Sequence, residues 1–381
     1  MTAAPIKLLI TCTFAEPYGG CERNLLTFLR RVDRDLIEPV VVFHMAGSLV
    51  DRLEELGIRA EVIATGRLRH LRTGSRAIGR LRKVIVRERP ALILSWFTRA
   101  QLYTAPAAVL AGERRRLVWL QHGMPGGTNL DAPATAMPAI AIGVVSEAAA
   151  QAQAEKRPRR PTFVVRPGIE PPAPPPEEEL VALRESLGVG DAKVIGLVGR
   201  LQHLKGQHLL IEALALLRRA GHDVRGLIVG GDAYGIEPDY GPFLRRRAAE
   251  LGVDGAVTFT GQVADALPYI QLMDAVVNAS EHEAFGMTLV EGMALGVPVV
   301  AFDNGGGPGE IVEDGRSGLL ARPGDVSHLA EQLGRVLSDA ALCERLVEEG
   351  RARYEAEFTA ARMVATLERE LSRLARAPVP R

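Results

Sequence analysis

The stretch EAFGMTLVEGMALGVPVVAFDNGG, residues 283–306, carries the clearest structural pattern in the sequence. The apolar run DAVVNAS (274–280) precedes it and is typical of a buried strand. A helical pattern then begins near Met287 and ends at Gly296, before the apolar run PVVAFD (298–303). Strand, loop, helix and strand in this order predict a parallel sheet with its connecting helices packed on the faces.

Two glutamates flank the predicted helix start. Glu283 lies in the loop after the strand, and Glu291 lies about one turn into the helix, on a side that can face the same opening. The free N–H groups at a helix start attract phosphate, and carboxylates bind hydroxyl groups. We therefore predict a site for a ligand with both groups, such as a nucleotide sugar.

The same alternation of apolar runs and helical patterns extends along the chain. The first part has six more predicted strands: IKLLIT (6–11), PVVVFH (39–44), ALILSW (91–96), RLVWLQ (116–121), AIAIGVVS (139–146) and TFVVR (162–166). The second part adds three: KVIGLVG (193–199), RGLIVGG (225–231) and AVTFTG (256–261).

The segment PPAPPPEEE (171–179) separates the two parts, and its run of prolines excludes a helix interior or a central strand. A chain of 381 residues also exceeds what one core usually holds. We predict an α/β protein with two Rossmann-like, doubly wound domains, residues 1–170 and 180–381, joined by this linker and facing each other across a cleft. The tail from about Asp325 to Arg376 has an amphipathic helical pattern, and its last helix could pack back on the first domain.

Composition points to a cytoplasmic protein. Apolar residues make up 47% of the chain and charged residues 24%, and no run of 18 apolar residues occurs. The start MTAAPIKLLITCTF lacks the pattern of a signal peptide and is expected to form a strand. Cys12, Cys21 and Cys343 are an odd number without metal-ligand spacing, which fits a reducing compartment.

Positive charge is concentrated in the first part, where residues 1–170 hold 25 Lys and Arg against 15 Asp and Glu. The segment 67–90 predicts an amphipathic basic helix. Its basic positions are Arg69, Arg72, Arg76, Arg80, Lys83 and Arg87, and its apolar positions are Leu71, Ile78, Leu81 and Ile85. Either the helix packs on its own sheet with a solvated arginine face, or it docks on an anionic membrane at the inner face. No nucleic-acid-binding motif accompanies the charge, so we expect no nucleic-acid partner.

Two other strand ends carry candidate ligand-binding residues. In VGRLQHLKG (198–206), Arg200 and Lys205 place two cations on one strand-to-helix loop, where they can neutralise a diphosphate without a metal ion. After the first strand, Gly19 and Gly20 stand where a helix should begin, and glycine lets a backbone approach a ligand closely.

Together these segments resemble the retaining glycosyltransferase family 4, which has the GT-B fold. Residues 283–306 resemble its E-x7-E motif, residues 198–206 its R-x4-K-G loop, and residues 19–23 its GG-x-E-R loop. His122, after the strand at 116–121, resembles the histidine that contacts the donor sugar. The segment GGGPGEIV (305–312) resembles a glycine-rich donor loop, and it is also compatible with a turn that only packs the fold.

The resemblance implies roles for individual residues. Glu283 would bind the donor hexose, Glu291 the ribose, and Arg200 with Lys205 the pyrophosphate. The implied catalytic residues are His122, Arg200, Lys205 and Glu283. The implied donor-binding residues are Gly19, Gly20, Arg200, Lys205, Glu283, Phe285, Gly286, Met287 and Glu291.

The implied reaction is metal-independent transfer of a hexose from a nucleotide-diphosphate sugar to a hydroxyl of a glycan or lipid-linked acceptor, in cell-envelope glycan, glycolipid or polysaccharide biosynthesis. We expect no cofactor and no metal, and the sequence has no HExxH motif and no Cys/His cluster. One alternative is a non-catalytic nucleotide-sugar-binding protein, although the presence of all the implied site residues argues against a degenerate copy. Another is an isomerase or epimerase acting on a nucleotide sugar, which the close match to the family spacing disfavours.

Overall fold

The computed structural model describes residues 4–17, 19–66, 71–156, 160–232 and 235–377. The chain forms two compact units: the first is Met1–Gly168 with Ala360–Arg381, and the second is Ile169–Thr359.

The first unit is built on a parallel sheet of seven strands in the order β3-β2-β1-β4-β5-β6-β7. Its strands are β1 (Ile6–Cys12), β2 (Ile37–Phe43), β3 (Ala60–Val62), β4 (Leu92–Trp96), β5 (Leu117–Gln121), β6 (Ala141–Val144) and β7 (Thr162–Val164). Its first six helices are α1 (Gly20–Arg31), α2 (Leu49–Glu55), α3 (Leu71–Glu88), α4 (Thr98–Leu110), α5 (Asp131–Ala136) and α6 (Glu147–Glu155). Cores lie on both faces of the sheet, as a parallel sheet requires.

The second unit is built on a parallel sheet of six strands in the order β10-β9-β8-β11-β12-β13. Its strands are β8 (Lys193–Val198), β9 (Val224–Val229), β10 (Val257–Gly261), β11 (Ala275–Asn278), β12 (Val299–Phe302) and β13 (Leu319–Ala321). Its helices are α7 (Glu177–Ser186), α8 (Gln207–Arg219), α9 (Tyr240–Glu250), α10 (Leu267–Gln271), α11 (Met287–Leu295), α12 (Gly307–Ile311), α13 (Val326–Ser338) and α14 (Ala340–Glu357).

Each sheet reverses its strand order once. In the first sheet β1 lies between β2 and β4, and in the second sheet β8 lies between β9 and β11. Connections therefore leave in opposite directions at the β1/β4 and β8/β11 positions, which are the switch points where doubly wound sheets bind ligands. The predicted fold class of two doubly wound α/β domains is confirmed.

The last helix, α15 (Ala360–Arg376), belongs to the first unit. It buries Met363, Val364, Leu367, Leu371 and Leu374 in the same core as strands β1 and β2. The backbone N–H of Asp33 donates to Glu368 Oε1 at 2.7 Å, which ties this helix to the end of α1. An amphipathic helix at the end of a chain is held by whichever core accepts its apolar face, and here that core is the first one.

The proline-rich segment has no regular structure up to Pro176, and α7 begins at Glu177. The last three residues of the predicted linker, Glu177–Glu179, form the first turn of this helix instead. Acidic side chains are favoured there because the helix dipole places partial positive charge at the first turn.

Helix α3 packs its apolar stripe into its own unit. Ala77, Leu81, Val84 and Ile85 are buried in the core beneath the helix. The exposed basic face consists of Arg72, Arg76, Arg80, Lys83 and Arg87. Arg69 and the side chain of Leu71 lie outside the described residues. The apolar stripe is therefore occupied by intramolecular packing, as the first of the two interpretations expects.

Among the described helices, none has the length and apolar character needed to cross a membrane.

Candidate functional site

The β8/β11 switch point of the second sheet brings two predicted site residues into contact. Lys205 lies in the loop after β8, and Glu283 lies in the loop after β11. Lys205 Nζ is 2.6 Å from Glu283 Oε2, and the two side chains are 22% and 16% exposed. A cation and a carboxylate thus meet, largely shielded from solvent, at the edge of the sheet where ligands bind.

The Glu283 carboxylate is held by neighbours on its own strand and loop. Ser280 Oγ donates to Glu283 Oε2 at 3.2 Å. Burial alone raises the pKa of Glu283, but the charge of Lys205 and hydrogen bonds from Lys205, Ser280 and Asn278 outweigh it and lower the pKa below its usual range. Glu283 is therefore ionised at neutral pH, and both of its carboxylate oxygens can accept hydrogen bonds.

The loop that carries Lys205 packs directly on the loop that carries Glu283. The turn His203–Lys205 ends at Gly206, whose φ of 73° lies in the left-handed region. A Cβ on Gly206 would lie 2.0 Å from Ala279 O, so only glycine fits. The N–H of Glu281 donates to Leu204 O at 2.9 Å. The position of Lys205 is therefore set by the backbone of the loop that carries Glu283, called the acidic loop below.

The glycine-rich segment after β12 supports the acidic loop from its other side. The N–H of Gly307 donates to Glu283 O at 3.0 Å. A Cβ on Gly306 would lie 2.3 Å from Glu283 O, and one on Gly307 would lie 2.1 Å from Phe285 O. Packing of the fold is sufficient to explain these two glycines.

Arg200 lies at the carboxyl end of β8, five residues before Lys205, and is half-buried. Its carbonyl accepts a hydrogen bond from Gln207 Nε2 at 2.8 Å, which fixes the backbone of the loop. In the described part of the chain its guanidinium has no carboxylate within ion-pair distance, in contrast to Lys205.

The remaining predicted residues of the second unit lie around the start of α11. This helix begins at Met287, and its N-cap Gly286 has a φ of 115°. The side chain of Phe285 is buried in edge-to-face contact with Phe358, with ring centroids 5.8 Å apart. Glu291 lies inside the helix and is only 2% exposed. Of these residues, Gly286 and Met287 present backbone at the helix start, whereas the side chains of Phe285 and Glu291 are buried.

In the first unit, the predicted glycines lie at the start of α1. Gly19 is its N-cap and Gly20 its first residue. A Cβ on Gly19 would lie 2.6 Å from Glu22 Oε2, so a larger residue would displace this buried carboxylate.

His122 follows β5 in the first unit, and its ring lies among aromatic side chains. Ring centroids are 4.9 Å from Trp96 and 5.4 Å from Phe97. Burial lowers the pKa of His122 to about 3, so the imidazole is neutral at pH 7. Its Nε2 atom is buried and has no hydrogen-bond partner among the described residues. A neutral imidazole can donate one hydrogen bond and accept another.

Phe97 lies at the β1/β4 switch point of the first sheet, and no sequence motif pointed to it. Its φ of 117° is rare for a side-chain-bearing residue and costs on the order of 1–3 kcal/mol. Its ring contacts both His122 and Phe14, the latter at 5.7 Å between centroids. Strained backbone of this kind concentrates at binding sites, and no local sequence pattern encodes it.

Within the described ranges, no group of three or more His, Cys, Asp or Glu side chains is arranged to hold a metal ion.

Comparison with known proteins agrees with the motifs. Residues 182–353 match the family model of glycosyl transferases group 1. The D-inositol 3-phosphate glycosyltransferase of Corynebacterium urealyticum is 39% identical over 212 residues, covering 53% of this chain and 49% of the relative. The GDP-mannose-dependent alpha-(1-6)-phosphatidylinositol monomannoside mannosyltransferase of Mycolicibacterium smegmatis is 38% identical over 176 residues, covering 44% of each chain. The chain thus spans about half the length of these curated relatives.

A solved structure matches over nearly the full length. Anabaena HepE in complex with UDP-glucose has a TM-score of 0.84 at 25% identity, covering 97% of this chain and 100% of that one. The family resemblance and the GT-B fold class predicted from the sequence are confirmed.

Proposed function

We propose that this protein transfers a hexose from a nucleotide-diphosphate sugar to an acceptor hydroxyl. The starting point is the match of residues 182–353 to the family model of glycosyl transferases group 1. The reaction would retain the anomeric configuration and need no metal ion or cofactor. The acceptor would be a glycan or a lipid-linked glycan of the cell envelope.

One observation carries the proposal: the contact between Lys205 and Glu283 at the switch point of the second sheet. A cation beside a carboxylate can serve the two halves of a sugar diphosphate, since the cation attracts phosphate and the carboxylate accepts hydrogen bonds from hydroxyls. The relatives named above carry glycosyltransferase names, and HepE was crystallised with UDP-glucose.

In the proposed reaction, the bond between the anomeric carbon and the leaving phosphate oxygen breaks, and the acceptor oxygen bonds to the same face of that carbon. The acceptor proton moves to the leaving phosphate oxygen. Arg200, Lys205 and the N–H groups at the start of α11 would stabilise the charge that develops on the diphosphate. Glu283 would hold the hexose hydroxyls, Glu291 the ribose, and neutral His122 a hydroxyl of the donor sugar.

A panel of nucleotide sugars tests the proposal. A thermal-shift assay first selects the donor from this panel. Release of the nucleoside diphosphate is then measured with acceptor glycans, without them, and in the presence of EDTA. Proton NMR gives the anomeric configuration of the product. We expect Lys205→Ala to lower kcat by at least about a hundredfold, with a smaller change in donor Kd, because this cation faces charge that grows in the transition state.

Lys193→Ala is the matched control, since Lys193 also pairs with a carboxylate but at the amino end of β8. Equal kcat in Lys205→Ala and the wild type, or turnover that EDTA abolishes, would refute the proposed mechanism. Absence of donor turnover in the wild type with every nucleotide sugar would refute the function.

The exposed basic face of α3 is the surface we propose for contact with anionic membranes. Because the apolar stripe of this helix is already packed, such contact would rest on charge and weaken steeply with salt. Co-sedimentation with vesicles containing 30 mol% anionic lipid, at about 50 and 500 mM salt, should show binding only at low salt. Replacement of Arg76 and Arg80 by glutamine should reduce that binding, and lack of binding by the wild type at low salt would exclude this contact.

A further inference from the structure

We propose that Asn304 is a positioning residue: its side chain joins the glycine-rich loop after β12 to the loop after β11 and thereby fixes the orientation of the Glu283 carboxylate. The expected effect on turnover rests on the proposed function, whereas the orientation of the carboxylate rests on the contacts within the second unit.

The Asn304 amide uses both of its ends. Its Nδ2 donates to Ser280 O at 2.9 Å, and its Oδ1 accepts from the N–H of Gly306 at 3.0 Å. One side chain thus bridges the backbone of two loops that leave neighbouring strands, β11 and β12.

Ser280 is the link from Asn304 to the carboxylate. It is 2% exposed, and its N–H donates to Asn278 Oδ1 at 3.1 Å while its carbonyl accepts from Asn304. With both of its backbone polar groups engaged, the Ser280 side chain is directed to Glu283, where Oγ donates to Oε2 at 3.2 Å. Loss of the Asn304 bond would leave the peptide between Ser280 and Glu281 held only by the bond from the Glu281 N–H to Leu204 O, and would weaken the contact of Ser280 with the carboxylate.

Backbone contacts alone do not fix the same orientation. The Gly307 N–H holds the main chain of Glu283 through its carbonyl, but that bond leaves the side-chain torsions of the glutamate undetermined. Lys205 has a flexible side chain and, in the proposed function, must also serve the diphosphate. Ser280 and Asn278 are the two short side chains that hydrogen-bond the carboxylate, and Ser280 is the one whose carbonyl accepts from Asn304.

Two substitutions at this position separate the two bonds. Asn304→Ala removes both at every pH. Asn304→Asp keeps an acceptor for the Gly306 N–H, but when ionised it sets an oxygen against Ser280 O, so two acceptors face each other. When protonated, the introduced carboxyl can donate to Ser280 O and restore the bond. Facing a carbonyl disfavours ionisation of that carboxyl, whereas the pKa of Glu283 is lowered, so we expect the introduced carboxyl to be protonated before Glu283 as the pH falls.

The experiment measures steady-state turnover and nucleoside-diphosphate binding for both variants, with Asp303→Asn as the adjacent control. We expect kcat to fall about five- to thirtyfold at pH 7 in both variants. The Kd of the nucleoside diphosphate, which carries no hexose, should stay within about twofold. As pH is lowered toward 4.5, the kcat of Asn304→Asp relative to the wild type should rise, and that of Asn304→Ala should not.

A second readout does not depend on turnover. In protein labelled with carboxyl ¹³C-glutamate, the resonance of Glu283 is assigned with Glu283→Gln and titrated with pH. We expect its pKa to rise in Asn304→Ala and Ser280→Ala and to stay unchanged in Asp303→Asn. If the wild type turns over no donor, the proposed function fails while this titration still decides the role of Asn304.

The inference is overturned if nucleoside-diphosphate affinity falls by the same factor as kcat, because Asn304 would then only maintain the fold of the site. It is also overturned if the Glu283 titration in Asn304→Ala matches the wild type, or if low pH does not distinguish the aspartate from the alanine variant.

Discussion

Replacing Glu283 with glutamine should strengthen binding of the bare nucleoside diphosphate while it weakens turnover of the sugar donor. In the free protein Lys205 is already paired with Glu283 at 2.6 Å, so a diphosphate must compete for this cation. The glutamine variant keeps the shape of the side chain but removes the competing charge.

The magnitude follows from the exposure of the pair. Fully exposed ion pairs contribute about 0–1 kcal/mol, and breaking a fully buried one costs about 3–5 kcal/mol. Side chains that are 22% and 16% exposed lie between these limits, and we take about 1–2 kcal/mol as the energy released for ligand binding. This corresponds to a Kd for UDP or GDP that is about five- to thirtyfold lower in Glu283→Gln than in the wild type.

Isothermal titration calorimetry at 50 mM salt measures this difference, and a double-mutant cycle with Lys205→Met assigns it to the pair. A second lysine–carboxylate pair, Lys193 with Asp274, joins the amino ends of β8 and β11 at 2.8 Å and is the control. Its side chains are 57% and 27% exposed, so Asp274→Asn should leave ligand Kd unchanged. Equal or weaker nucleoside-diphosphate binding by Glu283→Gln, or a Lys205–Glu283 coupling no larger than that of the control pair, would refute the reasoning.

Three further outcomes follow from buried groups outside this pair. Burial lowers the pKa of both His44 and His122 to about 3. Below pH 6.5 the unfolded first unit therefore binds two protons that the folded unit does not bind. The free energy of unfolding of this unit should fall by about 2.7 kcal/mol for each pH unit below pH 6.5. Urea unfolding can be followed by tryptophan fluorescence, which reports this unit because both tryptophans lie in it. The variant His44→Gln should show half of the wild-type dependence of the unfolding free energy on pH. An unchanged dependence would contradict the assignment. Gly307→Ala should lower the free energy of unfolding by at least about 3 kcal/mol in thermal unfolding, because the added Cβ would lie 2.1 Å from backbone. Gly255 has open space around it, so Gly255→Ala should change the free energy of unfolding by less than about 0.5 kcal/mol. Similar losses in the two variants would contradict the packing argument. Burial raises the pKa of Glu88, but hydrogen bonds from three cations outweigh it and lower this pKa to about 2. Glu88→Gln should therefore destabilise the first unit by about 1–3 kcal/mol at pH 7 in the same urea unfolding. The difference in unfolding free energy from the wild type should disappear as pH falls from about 4.5 to about 2.

Periodicity was sufficient to predict most of the sheet architecture. Each of the predicted apolar runs overlaps a strand, with ends that differ by at most two residues. The two strands that were missed, β3 and β13, have three residues each and lie at sheet edges. A run of three residues is too short to show alternation, and an edge strand does not need the continuous apolar composition of a central one.

The site was predictable one residue at a time but not as an arrangement. Lys205 and Glu283 could each be placed after a strand, yet they are 78 residues apart and meet only because β8 and β11 are neighbours. Strand order is set by which apolar faces pack together, and local spacing does not reveal it. The same reason applies to three residues that could not be predicted: Phe97, Ser280 and Asn304. A phenylalanine, serine or asparagine has no distinctive local pattern, and its role depends on the neighbours that the fold places beside it.

The contrast between the two lysine–carboxylate pairs of β8 and β11 separates stability from function. Asp274 accepts from the N–H of Val194 as well as from Lys193, and that pair is largely solvated, so it has a structural reason to exist. Lys205 and Glu283 are mostly withdrawn from water, where an ion pair gains little over well-packed apolar side chains. Stability therefore does not account for two charges at this position. The proposed binding of an anion and of hydroxyl groups does account for them. The pair keeps both charges neutralised until the phosphate of a ligand takes the place of Glu283 beside Lys205 and the hydroxyls of the ligand bind Glu283.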